Sequence, residues 1–351
     1  SGGTSSVLAE NITMDGYNNY GVYASSGAEI TLKDSTLNQF GTNAVYCSNE
    51  GEMVLDTVTI SNTTSSNSRT VYYLNGEETN RYEYNSPGYP ISTNRCEVDF
   101  SDVTVTNATN YGVRLSNSAI EIDGMVVENI DNATNGGLEF SYYMTDYDGD
   151  GLPDSWSTPN IEANAITLRG ITGKNGLHVQ GYEYCLSKDA AGDCTEWVQS
   201  VGTILLGDIV VEDNGSGVGV GNNGIHFLLA QDVQLQGFDL SSLGHIGIYA
   251  ADSTITVQGS SGSNSGIIDS PVGAGIHVKD STTSLADLTI TDSGQSGIIT
   301  DGGTLDMSNV TVSNSTAYGM SCSNTPTINT CDGTFEGTSG DFYECAGACD
   351  E

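Results

Sequence analysis

Basic residues are scarce in this chain of 351 residues. Nine Lys and Arg residues stand against 45 Asp and Glu residues, which gives a formal net charge of −36 at pH 7. A surface this acidic repels phosphate backbones, which excludes nucleic acid as a natural partner. It also disfavours anionic membranes and polyanionic glycans, unless cations bridge them to the protein.

Long apolar runs and helical periodicity are also missing. No segment approaches the run of about 18 consecutive apolar residues that a membrane-crossing helix needs. Apolar residues do not recur at the helical period of about 3.6 residues. The first residues contain no signal peptide, so we expect a mature or trimmed chain.

The chain does contain a short phrase that returns along its length: Gly, an aliphatic residue and a variable third residue. The shortest intervals between copies are 22 and 23 residues, which is typical of a solenoid. The copies begin at Gly21, Gly112, Gly137, Gly176, Gly224, Gly247, Gly275, Gly297 and Gly319, with degenerate copies at Ala44 and Thr70.

A second pattern accompanies each phrase, with apolar residues at positions i, i+2, i+5 and i+7. Met53, Leu55, Val58 and Ile60 are one example. Alternation, a two-residue corner and further alternation predict two short strands that each bury one face. With the strand of the phrase, this makes three strands per coil. The prediction is an all-β, right-handed parallel β-helix of about eleven coils that occupies residues 1–351 as one domain.

This repeat resembles the parallel β-helix repeat family within the pectate-lyase-like superfamily, and the resemblance covers nearly the whole chain. It implies the fold but leaves the function open. The same fold carries lyases, hydrolases, epimerases, phage tailspikes, adhesins and structural surface proteins.

Three insertions interrupt the repeat, at about residues 75–96, 141–160 and 181–201. Aligning the coils places all three at one corner, just after the strand of the phrase. Long loops that leave a solenoid at one edge are where binding surfaces lie. The insertions are rich in aromatic residues, which either pack a small local core or form an exposed binding surface. The binding candidates are Tyr142, Tyr143, Trp156, Tyr182, Tyr184 and Trp197.

The second insertion contains an acidic motif that runs from Asp146 to Asp154. Carboxylates at positions 1, 3, 5 and 9 with Gly at position 6 can wrap a hard cation in oxygen ligands. The motif resembles the calcium loops of thrombospondin type 3 repeats, and Ser157 stands where an EF-hand has Glu. We expect a structural Ca²⁺ here, and a solvated acidic loop is the alternative. The predicted ligands are Asp146, Asp148, Asp150, Leu152 (through its carbonyl) and Asp154.

Eight cysteines favour four disulfides over zinc, because the chain has no CxxC motif and no histidine at ligand spacing. Disulfides imply an oxidising, extracellular or cell-surface setting. The pairs expected from proximity are Cys47–Cys96, Cys185–Cys194, Cys322–Cys331 and Cys345–Cys349. The last pair would close a C-terminal cap at residues 332–351.

Seven asparagines begin N-glycosylation sequons. Several stand five residues before a phrase, where Asn also suits a left-handed turn, so turn chemistry is the competing explanation. The seven are Asn11, Asn62, Asn107, Asn132, Asn214, Asn309 and Asn314.

The third residue of each phrase forms a column that faces outward, since the aliphatic residue points inward. Three of the four histidines fall in this column, and the fourth, His245, lies two residues before Gly247. The column either forms a stacked ladder or carries acid–base chemistry on coils 4–7. It contains one carboxylate, whereas inverting glycoside hydrolysis needs two facing carboxylates. The catalytic candidates are Arg114, Glu139, His178 and His226.

Two functional hypotheses follow. The first is a secreted or cell-surface structural or adhesive β-helix that binds a glycan or another cell-surface polymer. The second is a glycan-active hydrolase or lyase. The N-terminal residues Ser1–Leu8 contain no capping helix, so we also expect this open end to meet another domain or a second protomer, which could build a filament.

Overall fold

The computed structural model is all-β and confirms the parallel β-helix. It describes residues 5–15, 21–41, 43–63, 66–74, 77–86, 89–144, 158–189, 191–199, 202–215, 217, 219–259 and 265–345, and side chains are not described for 66–86, 188 and 198. No helix within these ranges is long and apolar enough to cross a membrane.

Twenty-six strands make up the described residues. They are β1 (Ser6–Glu10), β2 (Thr13–Asp15), β3 (Val22–Ser25), β4 (Glu29–Asn38), β5 (Val45–Ser61), β6 (Ser66–Leu74), β7 (Glu77–Ser86), β8 (Ile91–Thr109), β9 (Val113–Ser116), β10 (Ala119–Ser141), β11 (Asn160–Gln180), β12 (Glu183–Lys188), β13 (Cys194–Gln199), β14 (Thr203–Glu212), β15 (Ile225–Leu228), β16 (Val233–Leu240), β17 (Ile248–Ala251), β18 (Thr254–Gln258), β19 (Ile267–Asp269), β20 (Ile276–Lys279), β21 (Thr282–Thr291), β22 (Ile298–Asp301), β23 (Thr304–Ser315), β24 (Tyr318–Ser323), β25 (Thr327–Gly337) and β26 (Gly340–Tyr343).

Successive coils pair in parallel and mostly in register. Met53 of β5 pairs with Val98 of β8, and Leu285 of β21 pairs with Met307 of β23. These aliphatic side chains are buried in one continuous core that follows the length of the solenoid. The corners are made by residues with positive φ, for which Asn and Asp pay less than other side chains. Asp102, Asn107 and Asn117 turn one coil in this way.

One predicted phrase and its insertion are misplaced. Val45 pairs with Ile91, so Ile91 and not Val71 continues the aliphatic ladder of the phrase. Val71 instead lies in β6, which pairs antiparallel with β7 as a hairpin that precedes the Ile91 strand. The first insertion therefore leaves a different corner from the one expected for residues 75–96. Alternating apolar residues suit a hairpin strand as well as a coil strand, which explains the error.

The other two insertions share a corner as predicted. Ala119 pairs with Asn160, and Asn160 pairs with Thr203, so the segments that precede Asn160 and Thr203 leave the solenoid at equivalent positions. The third insertion is an antiparallel hairpin of β12 and β13.

The C-terminal prediction is also corrected. The repeat does not end at Cys331, because β25 pairs with β23 and β26 pairs with β24 as a further coil. Phe335 and Phe342, with ring centroids 5.3 Å apart, fill the interior where earlier coils use aliphatic residues. The phrase cannot be recognised in this coil, because Phe342 occupies the position that an aliphatic residue holds in the earlier coils.

Two of the predicted disulfides are confirmed, Cys47–Cys96 and Cys185–Cys194. The expected pairs Cys322–Cys331 and Cys345–Cys349 are wrong, since Cys322 is bonded to Cys345 across a Cα–Cα distance of 5.0 Å. The extra coil brings Cys345 beside Cys322, which sequence proximity does not reveal. Cys331 is also disulfide-bonded, and Cys349 lies outside the described residues.

The Cys322–Cys345 bond should stabilise the last coil. Replacing both cysteines by Ala should destabilise the protein by about 2–4 kcal/mol, because a buried cross-link is lost from the stack. Thermal unfolding measures this, and peptide mapping without reduction should recover the Cys322–Cys345 peptide. The matched control is Cys185→Ala with Cys194→Ala, which opens only a hairpin outside the stack and should leave the main transition nearly unchanged. Recovery of a Cys322–Cys331 peptide would refute the assignment.

Candidate functional site

The outward column is continuous along the solenoid. Its rungs are Tyr23, Tyr46, Ser92, Arg114, Glu139, His178, His226, Tyr249, His277, Ile299, Ser321 and Tyr343, each paired in register with the next. Ser92 takes the place expected for Tyr72, the third residue of the degenerate copy that begins at Thr70. The predicted column is therefore confirmed, except that Ser92 occupies one of its positions.

All four histidines of the chain line one pocket on this face, which has a volume of about 570 Å³. His178, His226 and His277 come from the column, and His245 comes from the loop before β17. Tyr249 stands between His226 and His277, with ring centroids 5.1 Å from each. None of the described residues that line the pocket is acidic, although the chain has 45 Asp and Glu residues. The pocket is therefore chemically distinct from the rest of the surface.

Three asparagines hold the inner wall of the pocket. Asn175 donates its Nδ2 to the carbonyl of Asn135 at 2.8 Å, and its Oδ1 accepts from Asn223 Nδ2 at 3.0 Å. Nδ2 of Asn175 also lies 3.3 Å from Nδ1 of His226. Asn175 and Asn223 directly precede Gly176 and Gly224, so the repeat stacks them on adjacent coils.

Burial favours the neutral form of the three column imidazoles at pH 7, because it lowers the pKa of His178, His226 and His277. It lowers the pKa of His226 to about 4, helped by His178 and Lys174. Burial also lowers the pKa of His178, while the nearby Glu139 opposes this shift. For His277, burial again lowers the pKa and Asp301 opposes the shift. These three rings are therefore presented to a ligand in the uncharged form.

The remaining catalytic candidates form an ion pair beside the pocket. Arg114 Nε lies 3.4 Å from Glu139 Oε1, and Glu139 is 4% exposed. Arg114 also donates to the Tyr89 hydroxyl at 3.3 Å. A buried carboxylate that is paired in this way is held by its neighbours and does not line the pocket. Among the described residues, the pocket lining thus contains no pair of facing carboxylates of the kind that inverting hydrolysis requires.

Carboxylates do stack on another face, which the sequence analysis missed. Asp99 pairs with Glu121, and Glu121 pairs with Glu162, beside Glu52 and Glu97. The five line an acidic groove of about 430 Å³. Burial, followed by repulsion from Glu29, Glu97 and Asp99, raises the pKa of Glu52. An in-register comparison of the polar positions, and not only of the apolar ones, would have found this groove.

The aromatic candidates divide between core and surface. Tyr142 is 2% exposed and its hydroxyl donates to the Ser118 carbonyl at 2.6 Å, so it is a packing residue. Tyr182 is also buried. An exposed binding role is therefore wrong for these two, because each fills the corner from which its insertion leaves. Tyr143, Tyr184 and Trp197 are exposed, with Trp197 at 56%.

The remaining sequence predictions concern the calcium motif, Trp156 and the N-glycosylation sequons. The whole calcium motif, with Asp146, Asp148, Asp150, Leu152 and Asp154, lies outside the described residues, as does Trp156. Within the described ranges, no three His, Cys, Asp or Glu side chains are grouped to hold a metal ion. Six sequon asparagines have positive φ, which supports the turn explanation without testing glycosylation; they are Asn11, Asn62, Asn107, Asn132, Asn309 and Asn314. Asn214 is not among the positive-φ residues.

Comparisons with known proteins add no site residues. No protein-family model and no curated protein sequence match the chain. Among solved structures, 97% of the chain aligns with 72% of the Siphovirus 9NA tailspike receptor binding domain, at 10% sequence identity and a TM-score of 0.37. This likeness is too distant to support an argument about the site.

The depressed pKa of His226 predicts a loss of stability in acid. The unfolded ring binds its proton near pH 6.5 and the folded ring near pH 4, so stability is complete above the first value and falls toward the second. His226→Phe keeps a ring but removes the proton site. The stability of the wild type relative to this variant should therefore fall by about 3 kcal/mol between these pH values. Denaturant unfolding across the range measures it, and a difference that does not change with pH would contradict the neutral imidazole.

Proposed function

We propose that this protein is an extracellular or cell-surface β-helix that binds a neutral glycan in the histidine pocket. The observation that carries the proposal is the gathering of all four histidines in one pocket of about 570 Å³, whose described lining residues include no carboxylate. Pockets of roughly 300–1,000 Å³ with a few placed polar groups are typical of small-molecule sites.

The chemistry of the wall suits sugars. Imidazole and phenol rings offer faces for the C–H groups of a sugar ring, and the ring edges carry polar atoms. Asn222 and Gln180 add amide groups that can donate to or accept from hydroxyls. A net charge of −36 disfavours polyanionic chains, and neutral imidazoles do not compensate for it.

The β12–β13 hairpin extends this surface. It begins at Glu183, shortly after Gln180 of the pocket, and the Cys185–Cys194 disulfide cross-links its two strands. Exposed Trp197 and Tyr184 make it a second contact for a longer glycan. The disulfides also support an oxidising location outside the cell.

Substitution of Tyr249 tests the binding site. Tyr249→Ala should weaken binding of a neutral oligosaccharide, selected from a glycan array, at least tenfold, because the ring between His226 and His277 is lost. Titration calorimetry measures the change. The matched control is Tyr23→Ala, the same residue type in the same column but outside the pocket, which should bind as tightly as the wild type.

Two outcomes would contradict the proposal. Equal affinity of the Tyr249→Ala and wild-type proteins would place binding elsewhere. Release of new reducing ends from the glycan, abolished by Glu121→Gln in the acidic groove, would instead favour glycoside hydrolysis.

A structural calcium in the second insertion belongs to the same proposal. Four aspartates in nine residues repel one another unless a cation neutralises them. Chelation should lower the melting temperature of the wild type, and Asp148→Asn with Asp150→Asn should abolish that response. The control, Asp189→Asn with Asp193→Asn in the third insertion, should respond to chelation as the wild type does. Calcium binding that survives the first double substitution would refute the loop.

A further inference from the structure

We propose that His178 and His226 act as an oriented acceptor–donor pair that binds one hydroxyl group of a neutral ligand. This inference rests on the proposed function, since it names the chemical group that the histidine pocket recognises. The two residues occupy adjacent rungs of the column, and their ring centroids lie 4.8 Å apart.

The neighbours of His226 determine which of its nitrogens carries the proton. Nδ2 of Asn175 is a donor, because it bonds the backbone carbonyl of Asn135, which can only accept. The His226 Nδ1 that faces this amide at 3.3 Å must therefore accept. The proton of the neutral ring then lies on Nε2, which becomes a donor.

His178 is oriented by Gln180. Its Nε2 lies 3.4 Å from Oε1 of Gln180, an acceptor, so Nε2 carries the proton and Nδ1 keeps its lone pair. His178 therefore offers an acceptor on the rung next to the donor of His226.

Both of these atoms lack partners. His178 Nδ1 and His226 Nε2 are buried and make no hydrogen bond to any described residue. His178 is 5% exposed, so the cost of an unsatisfied polar atom there is not relieved by bulk water. An alcohol is the simplest group that satisfies both, because its O–H donates to His178 while its oxygen accepts from His226. Since both nitrogens are shielded in the free protein, we expect the half-buried His226 ring to tilt as the hydroxyl enters.

The surrounding charges favour a neutral group over an ion. A carboxylate would meet the lone pair of His178 Nδ1 and could use only one of the two nitrogens. Glu139 acts on His178, and the positive charge of Lys174 acts on both His178 and His226. At the far end of the pocket, Asp301 raises the pKa of His277 while His245 and Lys279 lower it.

Protonation of His226 would destroy the pair. Its Nδ1 would then turn an N–H toward the N–H of Asn175, and the ring would carry a charge beside Lys174. Hydroxyl binding should therefore persist at neutral pH and be lost as the pH falls through about 4.

Nitrogen NMR of histidine-labelled protein tests the pair directly, with glycerol and glycerate as matched neutral and anionic probes. At pH 7 both His178 and His226 should be in the Nε2–H form. Glycerol should shift His178 Nδ1 and His226 Nε2, and glycerate at the same concentration should shift them less, because its carboxylate lies next to its hydroxyl groups. Asn175→Val should remove the preference of His226 for that form, while His277→Phe, which leaves Asn175 in place, should not.

The inference is overturned if His226 carries its proton on Nδ1, if glycerol leaves both nitrogens unshifted, or if glycerate shifts them more than glycerol does. These results are independent of the glycan array. If the protein binds no glycan on the array but glycerol causes the expected nitrogen shifts, the proposed function is rejected and the hydroxyl site stands. Glycan binding on the array, together with a proton on Nδ1 of His226, would reject the hydroxyl site and leave the proposed function standing.

Discussion

The regular spacing of parallel coils is the constraint on which this structure depends. Backbone hydrogen bonds hold equivalent residues about 4.8 Å apart, so any residue type that recurs at one position becomes a ladder. The ring centroids of His178, His226, Tyr249 and His277 follow this spacing, at 4.8–5.1 Å. His178, His226 and His277 are distant in the sequence and thereby share one pocket, to which the loop before β17 adds His245.

The same spacing also brings like charges close together. The acidic residues and the column histidines stack on different faces of the coils. Glu29, Glu52 and Glu97 stack on one strand of the coil, with repulsion that follows from their register. The three column histidines lie on a different strand, and burial favours their uncharged form at neutral pH. The asparagine wall of the pocket supplies hydrogen bonds without adding charge. An acidic solenoid can in this way keep a ring-lined pocket on its surface whose described lining carries no carboxylate.

Much of the fold was predictable because the aliphatic ladder repeats in the sequence. The column was predictable as well, since Glu139, His178 and His226 follow recognisable phrases. Errors arose where a different residue does the same structural work. Ile91 follows Pro90 instead of Gly, and Phe342 replaces an aliphatic residue, so their coils were misplaced or missed. The Cys322–Cys345 bond then depends on that missed coil. The asparagine wall could not be predicted from the sequence, because Asn is common throughout the chain and marks corners more often than pockets.

The central claim is that coil register brings His178, His226 and His277 into one pocket. Proton–proton NOEs between the imidazoles of selectively histidine-labelled protein measure this most directly, because only four rings contribute to the spectrum. The account predicts NOEs between the ring protons of His178 and His226, assigned by His226→Phe. An absence of any NOE between these two rings in the folded protein would contradict it.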